Sequence, residues 1–177
     1  MNEQENARVA RLADLPQLLG LMKELAAFEG YLPEFAVDER ALRDRGFDES
    51  REPQFAAFVA ERGDELVGYA VVYKVPFTYT LKPTLVLKEL FIREAHRARG
   101  HGQRLLALVT AYAEQSGCDC IRWAILPENH AAKRFYKRWS GEPDGQWQYW
   151  KKSLNINARV GHHSDRCDSP LPELPRA

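Results

Sequence analysis

Apolar and charged residues alternate from Ala7 to Arg11, the pattern of a short half-buried strand. Asp14 then offers a helix cap, with Pro16 tolerated in the first turn. Leu15, Leu18, Leu19, Met22, Leu25 and Ala26 recur at helical spacing, which predicts an amphipathic helix that Gly30 and Pro33 bring to an end. A second, more polar helix is expected from Asp38 to Gly46. Phe55 to Glu61 and Leu66 to Val75 read as the two arms of a hairpin around Gly63 and Asp64, and Pro76 stops the second arm. Thr84 to Ile92 is a third long β-rich run. A turn holding Arg97, Arg99, Gly100 and Gly102 follows. It leads into a helix with Leu105, Leu106, Val109, Tyr112 and Ala113 on its apolar face, closed by Gly117. Cys120 to Leu126 is mostly apolar, like a strand buried inside a sheet. Asn129 caps another helix carrying Ala132, Phe135, Tyr136 and Trp139. Gly141 to Gly145 is a turn and Trp147 to Lys151 a final strand. This order predicts an α/β fold of mixed α+β type, a mixed sheet covered by helices.

A chain of 177 residues suits one domain, and the composition places its boundary. After Leu154 the chain turns rich in Pro, Ser, Asp and Arg. Residues 7–154 therefore form the domain and 155–177 a flexible tail. His162, His163 and Cys167 in that tail match no zinc spacing, so no metal is expected. Twenty-five basic residues balance twenty-five acidic ones, which gives no reason to expect nucleic acid or a membrane surface as partner. Three cysteines, two of them one residue apart, make no disulfide framework and fit a reducing cytoplasm. No apolar run approaches the ~18 residues a bilayer span needs, and Met1 to Asn6 holds no apolar signal core. The expectation is a soluble cytoplasmic protein.

The turn after Ile92 carries the chemistry. A helix start directs free amides at one point, and its dipole adds positive potential there. Gly100 and Gly102 permit unusual backbone angles and close approach, while Arg97, Arg99 and Arg104 add cations. The combination favours a pyrophosphate. A dinucleotide fingerprint requires a third glycine at 105, where this chain has Leu105. A P-loop requires Gly-Lys-Ser/Thr, and Gly102 is followed by Gln103 and Arg104.

Arg97, Gly100 and Gly102 match the pattern by which GNAT acetyltransferases hold the pyrophosphate of coenzyme A. The segments Met22 to Glu29, Gly46–Phe47 and Asn129 through Phe135, Tyr136, Lys137 and Arg138 resemble the diamine (spermidine/spermine) acetyltransferase subfamily. The resemblance spans about Ala7 to Leu154 and implies a mostly antiparallel sheet flanked by helices. It further implies acetyl-CoA as acetyl donor, a small primary amine as acceptor, direct transfer in a ternary complex, and a homodimer. Tyr136 aligns with the family's catalytic tyrosine, a phenol able to protonate a leaving thiolate. By the same resemblance, Leu90, Phe91 and Ile92 pair with the pantetheine arm. Arg97, Ala98, Arg99, Gly100, His101, Gly102 and Gln103 hold the pyrophosphate, and Asn129, His130, Ala131 and Ala132 also line the cofactor.

By the same resemblance, the amine side is expected to be carried by Phe28, Glu29, Lys88, Arg122, Trp123 and Ala124. The general base is Glu89, Glu29 or an ordered water. One position departs from the subfamily: its first acid of two aligns with Lys88, and only the second survives, as Glu89. Since neighbouring strand residues face opposite sides, Lys88 and Glu89 are expected on opposite faces. Lys88 and Arg122 would repel a polycation, which leaves room for zwitterionic lysine analogues. The competing readings are a non-catalytic coenzyme A-sensing module and an acetyltransferase acting on protein amines.

Overall fold

The chain begins with β1 (Glu5–Val9), two residues earlier than the alternation suggests. The Asp14 carboxylate explains the shift: it accepts from the Arg11 amide at 2.6 Å and draws Leu12–Asp14 into a 3-10 turn. Asp14 therefore does not cap the next helix through its side chain, and it pairs with Arg8 at 2.7 Å instead. That helix, α1 (Leu15–Glu29), buries Leu15, Leu18, Leu21, Met22, Leu25 and Ala26. It ends at Gly30, where the Tyr31 amide bonds back to Ala26 O at 2.9 Å. The short α2 (Glu39–Leu42) starts where Asp38 accepts from the Ala41 amide at 2.7 Å, and a π turn continues it through Arg43–Phe47.

The strands β2 (Ala56–Arg62) and β3 (Glu65–Val75) form the expected hairpin, and β4 (Thr84–Ile92) follows. Next come α3 (His101–Gln115), β5 (Cys120–Arg122) and α4 (His130–Arg138). This computed structural model describes residues 5–76, 78–146 and 149–153, so the tail with His162, His163 and Cys167 lies outside it. The chain divides into two units, Met1–Asn129 and His130–Ala177. The first holds β1–β5 and α1–α3; α4 belongs to the second.

The sheet order is β1-β2-β3-β4-β5. The first three pairings are antiparallel, and β4–β5 is parallel. A mixed, mostly antiparallel sheet with helices is thus present. The α1 face is built from Ala57, Val59, Tyr69, Val71 and Phe91 against the leucines of α1. The opposite face meets α3, where Leu105, Leu106 and Val109 are buried and Tyr112 stands edge-on to Phe58.

Two expected strands differ. The run Cys120 to Leu126 pairs only over Cys120–Arg122, against Thr84 to Val86. Those three residues are half-buried rather than buried, because among the described residues β5 is the sheet edge. In the run Trp147 to Lys151, Trp147 and Gln148 lie outside the described residues, and Tyr149, Trp150 and Lys151 form no strand. Tyr149 and Trp150 are exposed; β propensity builds a strand only where a neighbour offers a ladder.

Candidate active site

Because β5 stops at the level of Val86, one edge of β4 from Leu87 to Ile92 has no strand partner among the described residues. Its main-chain donors and acceptors are available to an extended ligand arm. Leu90, Phe91 and Ile92 lie on this open stretch. On the other edge β3 approaches closely: a Cβ on Gly68 would come within 2.6 Å of Phe91 O and overlap the Ile92 side chain.

Arg93 fixes the end of β4. Its guanidinium bonds Glu24 of α1 at 2.7 Å, Glu65 of β3 at 2.6 Å and the Leu66 carbonyl at 3.2 Å. A 3-10 turn over Glu94–His96 follows. Ala98 takes φ +60° and Gly100 φ +83°, so the chain coils left-handed just before α3 starts. The first main-chain bond of α3 runs from the Arg104 amide to Gly100 O at 3.0 Å. The amides of His101, Gly102 and Gln103 precede it and have no intrahelical acceptor. Gly100 supplies no capping side chain. Amides, left-handed turn and helix dipole together suit a pyrophosphate.

The cations around the turn are not equivalent. Arg97 donates from Nε to Ile92 O at 3.0 Å and lies over the Phe28 ring at 5.5 Å. Phe28 therefore lies against the arginine of the glycine-containing turn. Arg104 reaches back to Arg99 O and to Glu5, both at 3.3 Å. Arg99 and Gln103 are exposed. The His101 ring is buried, with neither nitrogen hydrogen-bonded; burial pushes its pKa down, and Glu5 opposes this. Only the main chain of His101 faces the role the sequence suggested.

The acidic side of the site is built on the α1 face. Tyr69 Oη donates to Glu89 Oε2 at 2.8 Å from a fully buried ring. Burial, then the Glu89 charge, pushes that phenol far up. Tyr31, just past α1, is also raised, by burial first and then by Glu89 and Glu29. The Glu29 carboxyl is raised by desolvation, then by Glu89, while Lys88 draws it down. Glu29, Tyr31, Tyr69, Lys88 and Glu89 thus share one electrostatic neighbourhood.

A β-bulge corrects the expectation that Lys88 and Glu89 obey strict alternation. Val71 pairs with Glu89 and Val72 with Leu87, so Lys88 has no partner in β3. Glu89 and Phe91 then face α1 with Val71 and Tyr69, while Leu87 joins Val72 on the other face. Arg122 lies level with Val86, farther down β4 from this cluster; Trp123 and Ala124 follow the end of β5. Asn129 closes the first unit, its amide bonded to Leu126 O at 2.9 Å.

In the second unit, His130, Ala131 and Ala132 form the first turn of α4. Tyr136 lies between Phe135, at 5.3 Å between ring centroids, and Trp139, at 6.5 Å. Burial pushes its phenol up to about 12, so it stays protonated at neutral pH. Sequence reasoning missed Tyr69 and Tyr31. A tyrosine inside the apolar run Leu66 to Val72 was the available signal, since a buried phenol needs an acceptor.

A family model described as the acetyltransferase (GNAT) family matches residues 21–141. The chain belongs to the GNAT acetyltransferase family. This GNAT chain is 31% identical over 138 residues to thialysine N-epsilon-acetyltransferase of Mus musculus, covering 73% of this chain and 79% of that protein. It is 29% identical over 136 residues to spermidine/spermine N(1)-acetyltransferase-like protein 1 of Homo sapiens, covering 73% of this chain and 19% of that protein. Its fold also matches the structure of AAC(6')-Iy in complex with the bisubstrate analogue CoA-S-monomethyl-acetylneamine. The TM-score is 0.68 at 20% identity, over 85% of this chain and 99% of that one. This GNAT member is an acetyl-CoA-dependent N-acetyltransferase of diamine-acetyltransferase-like type. Among its described residues no helix is long and apolar enough to cross a membrane.

Proposed function

We propose that the chain moves the acetyl group of acetyl-CoA to a primary amine of a small molecule of the diamine, polyamine or lysine-analogue type. Transfer is direct, in a ternary complex. The observation that carries this reading is the Glu89 carboxylate, held by Tyr69 at 2.8 Å on the strand whose other edge is open. Relatives that acetylate thialysine, or are named for spermidine and spermine, support the substrate class.

Leu90, Phe91 and Ile92 would hold the pantetheine arm by main-chain bonds, and an amide there would polarise the thioester carbonyl. The turn from Arg97 to Gln103 would hold the pyrophosphate, with Asn129 to Ala132 lining the cofactor. Acetyl-CoA supplies an activated acyl thioester. Glu89 is the general base, taking a proton from the ammonium so that nitrogen can attack the acetyl carbon. Glu29 draws the cationic amine in. Tyr136 gives its proton to the sulfur as the C–S bond breaks. The family resemblance extends the proposal to a homodimer, and the cysteine usage to a reducing cytoplasm.

A thiol-release screen over polyamines, lysine analogues, amino acids and peptides tests the acceptor class. Small amines should turn over and lysine-bearing peptides should not. Peptides outpacing every small amine would overturn the proposal in favour of a protein acetyltransferase.

A further inference from the structure

A second tie on the glycine-containing turn comes from the far side of the sheet. β4 delivers the chain into the turn, and β2 and β3 stand between β4 and β1. Yet Glu5, the first residue of β1, reaches the start of α3. Its Oε2 accepts from Arg104 Nη1 at 3.3 Å, and the same nitrogen donates to Arg99 O at 3.3 Å. The guanidinium also lies over Gly100: a Cβ there would stand 3.7 Å from Nη1 and 3.8 Å from Cζ. Arg104 thus directs its charge at the turn itself and at β1.

The consequence follows from the peptide plane. The unit joining Arg99 and Gly100 is planar and trans, so its C=O and N–H point in opposite directions. Fixing Arg99 O from one side fixes where the Gly100 N–H points on the other. Gly100 is the left-handed residue, φ +83°, that turns the chain into the helix, and the free amides of His101, Gly102 and Gln103 come next. Glu5 in turn limits the rotamers of a long side chain. The remaining Glu5 oxygen lies 3.8 Å from His101 Nε2. Burial pushes the pKa of that ring down, so it is neutral at neutral pH and leaves the Glu5 charge to Arg104.

We infer that Arg104 and Glu5 are positioning residues for acetyl-CoA: Glu5 holds Arg104, and Arg104 holds the Arg99–Gly100 peptide in the orientation that receives the pyrophosphate. The inference rests on the reading of this turn as the pyrophosphate site. The sign of the Glu5 effect is then opposite to simple electrostatics. Were Arg104 a free cation for the phosphates, Glu5 would be an anion beside an anionic ligand, and its removal would tighten binding. In a positioning pair, its removal weakens binding.

Calorimetry with acetyl-CoA at low ionic strength, where charge effects are largest, separates the two. Glu5→Ala and Arg104→Gln should each weaken acetyl-CoA binding by about three- to tenfold, the worth of a partly exposed charged hydrogen bond. The double variant should be no weaker than Arg104→Gln alone, because both act through one contact. Glu5→Gln keeps an acceptor for Arg104 and should recover most of the affinity. In steady state the KM for acetyl-CoA should rise in parallel while kcat and the KM for the amine hold. Unchanged or tighter binding in Glu5→Ala overturns the inference while leaving the acetyltransferase reading in place. So does a purely structural result, in which the fraction of binding-competent protein falls and the affinity of the remainder does not. Gly102→Val crowds the helix start itself and should abolish binding; full affinity in that variant overturns the reading of the turn, and the inference with it.

Discussion

At the scale of single residues, two phenols serve opposite purposes. Tyr69 is buried on Glu89 and cannot easily ionise; it is a fixed donor that aims a carboxylate. Tyr136, pushed up to about 12 by burial, keeps a proton to give. Raising a phenol favours its neutral form, so ionisation of Tyr136 should not depress kcat until the pH nears that value. Tyr136→Phe should lower kcat by about 10²- to 10⁴-fold, the usual worth of a general acid. Acetyl-CoA affinity by calorimetry should hardly move, and a variant that kept wild-type turnover would remove Tyr136 from the mechanism. The Tyr69–Glu89 bond was not legible in the sequence. Each residue looks ordinary in its own strand, and only the β3–β4 register brings them together.

At the scale of elements, the sequence pattern located strands and helices well and their irregularities poorly. The bounds of β4, Thr84 and Ile92, follow from the β-rich run between Pro83 and the arginine turn. Yet Leu85, Leu87, Glu89 and Phe91 suggest one face at period two, and the bulge splits them between two. A bulge is a property of a pair of strands, so no single strand announces it. The overlong expectation for β5 has a similar cause: apolar residues persist after Arg122, but the partner does not. Gly68→Ala should test the β3–β4 contact, because its methyl meets Phe91 O. We expect a loss of about 1–3 kcal/mol in denaturant unfolding, and a neutral change would show that the strands can part freely. The start of α1 depends on charge. Arg8 hydrogen-bonds Asp14 and holds its carboxyl below the usual range, against the cost of burial. A lowered carboxylate pKa stabilises the fold above the unfolded value of 3.8 and ceases to do so as pH falls through the folded value. Asp14→Asn should therefore cost about 1.5–3 kcal/mol at pH 7 and converge on wild type in strong acid. Parallel melting curves at pH 7 and pH 3 measure this, and an equal deficit at both would contradict the pairing.

At the scale of the whole molecule, the sheet does two jobs with one strand. The edge of β4 that β5 leaves open is suited to an extended acyl carrier, and the α1 face of the same strand carries Glu89, the acid proposed to prepare the amine. The turn after Ile92, tied by Arg93 to α1 and β3, sets the position of the helix start that follows. That much was readable early, since a strand, a glycine-containing turn and a helix are local in sequence. The acid cluster proposed for the amine was not readable as a cluster, because it gathers residues from α1, β3 and β4 that the chain separates widely. The central claim is that Glu89 accepts the amine's proton. Its most direct test is the steady-state rate of Glu89→Gln with saturating acetyl-CoA and the best amine from the screen. We expect kcat/KM for the amine to fall by about 10²- to 10⁴-fold while calorimetry finds acetyl-CoA bound as in wild type. A Glu89→Gln enzyme that remained within a few-fold of wild type would contradict the account.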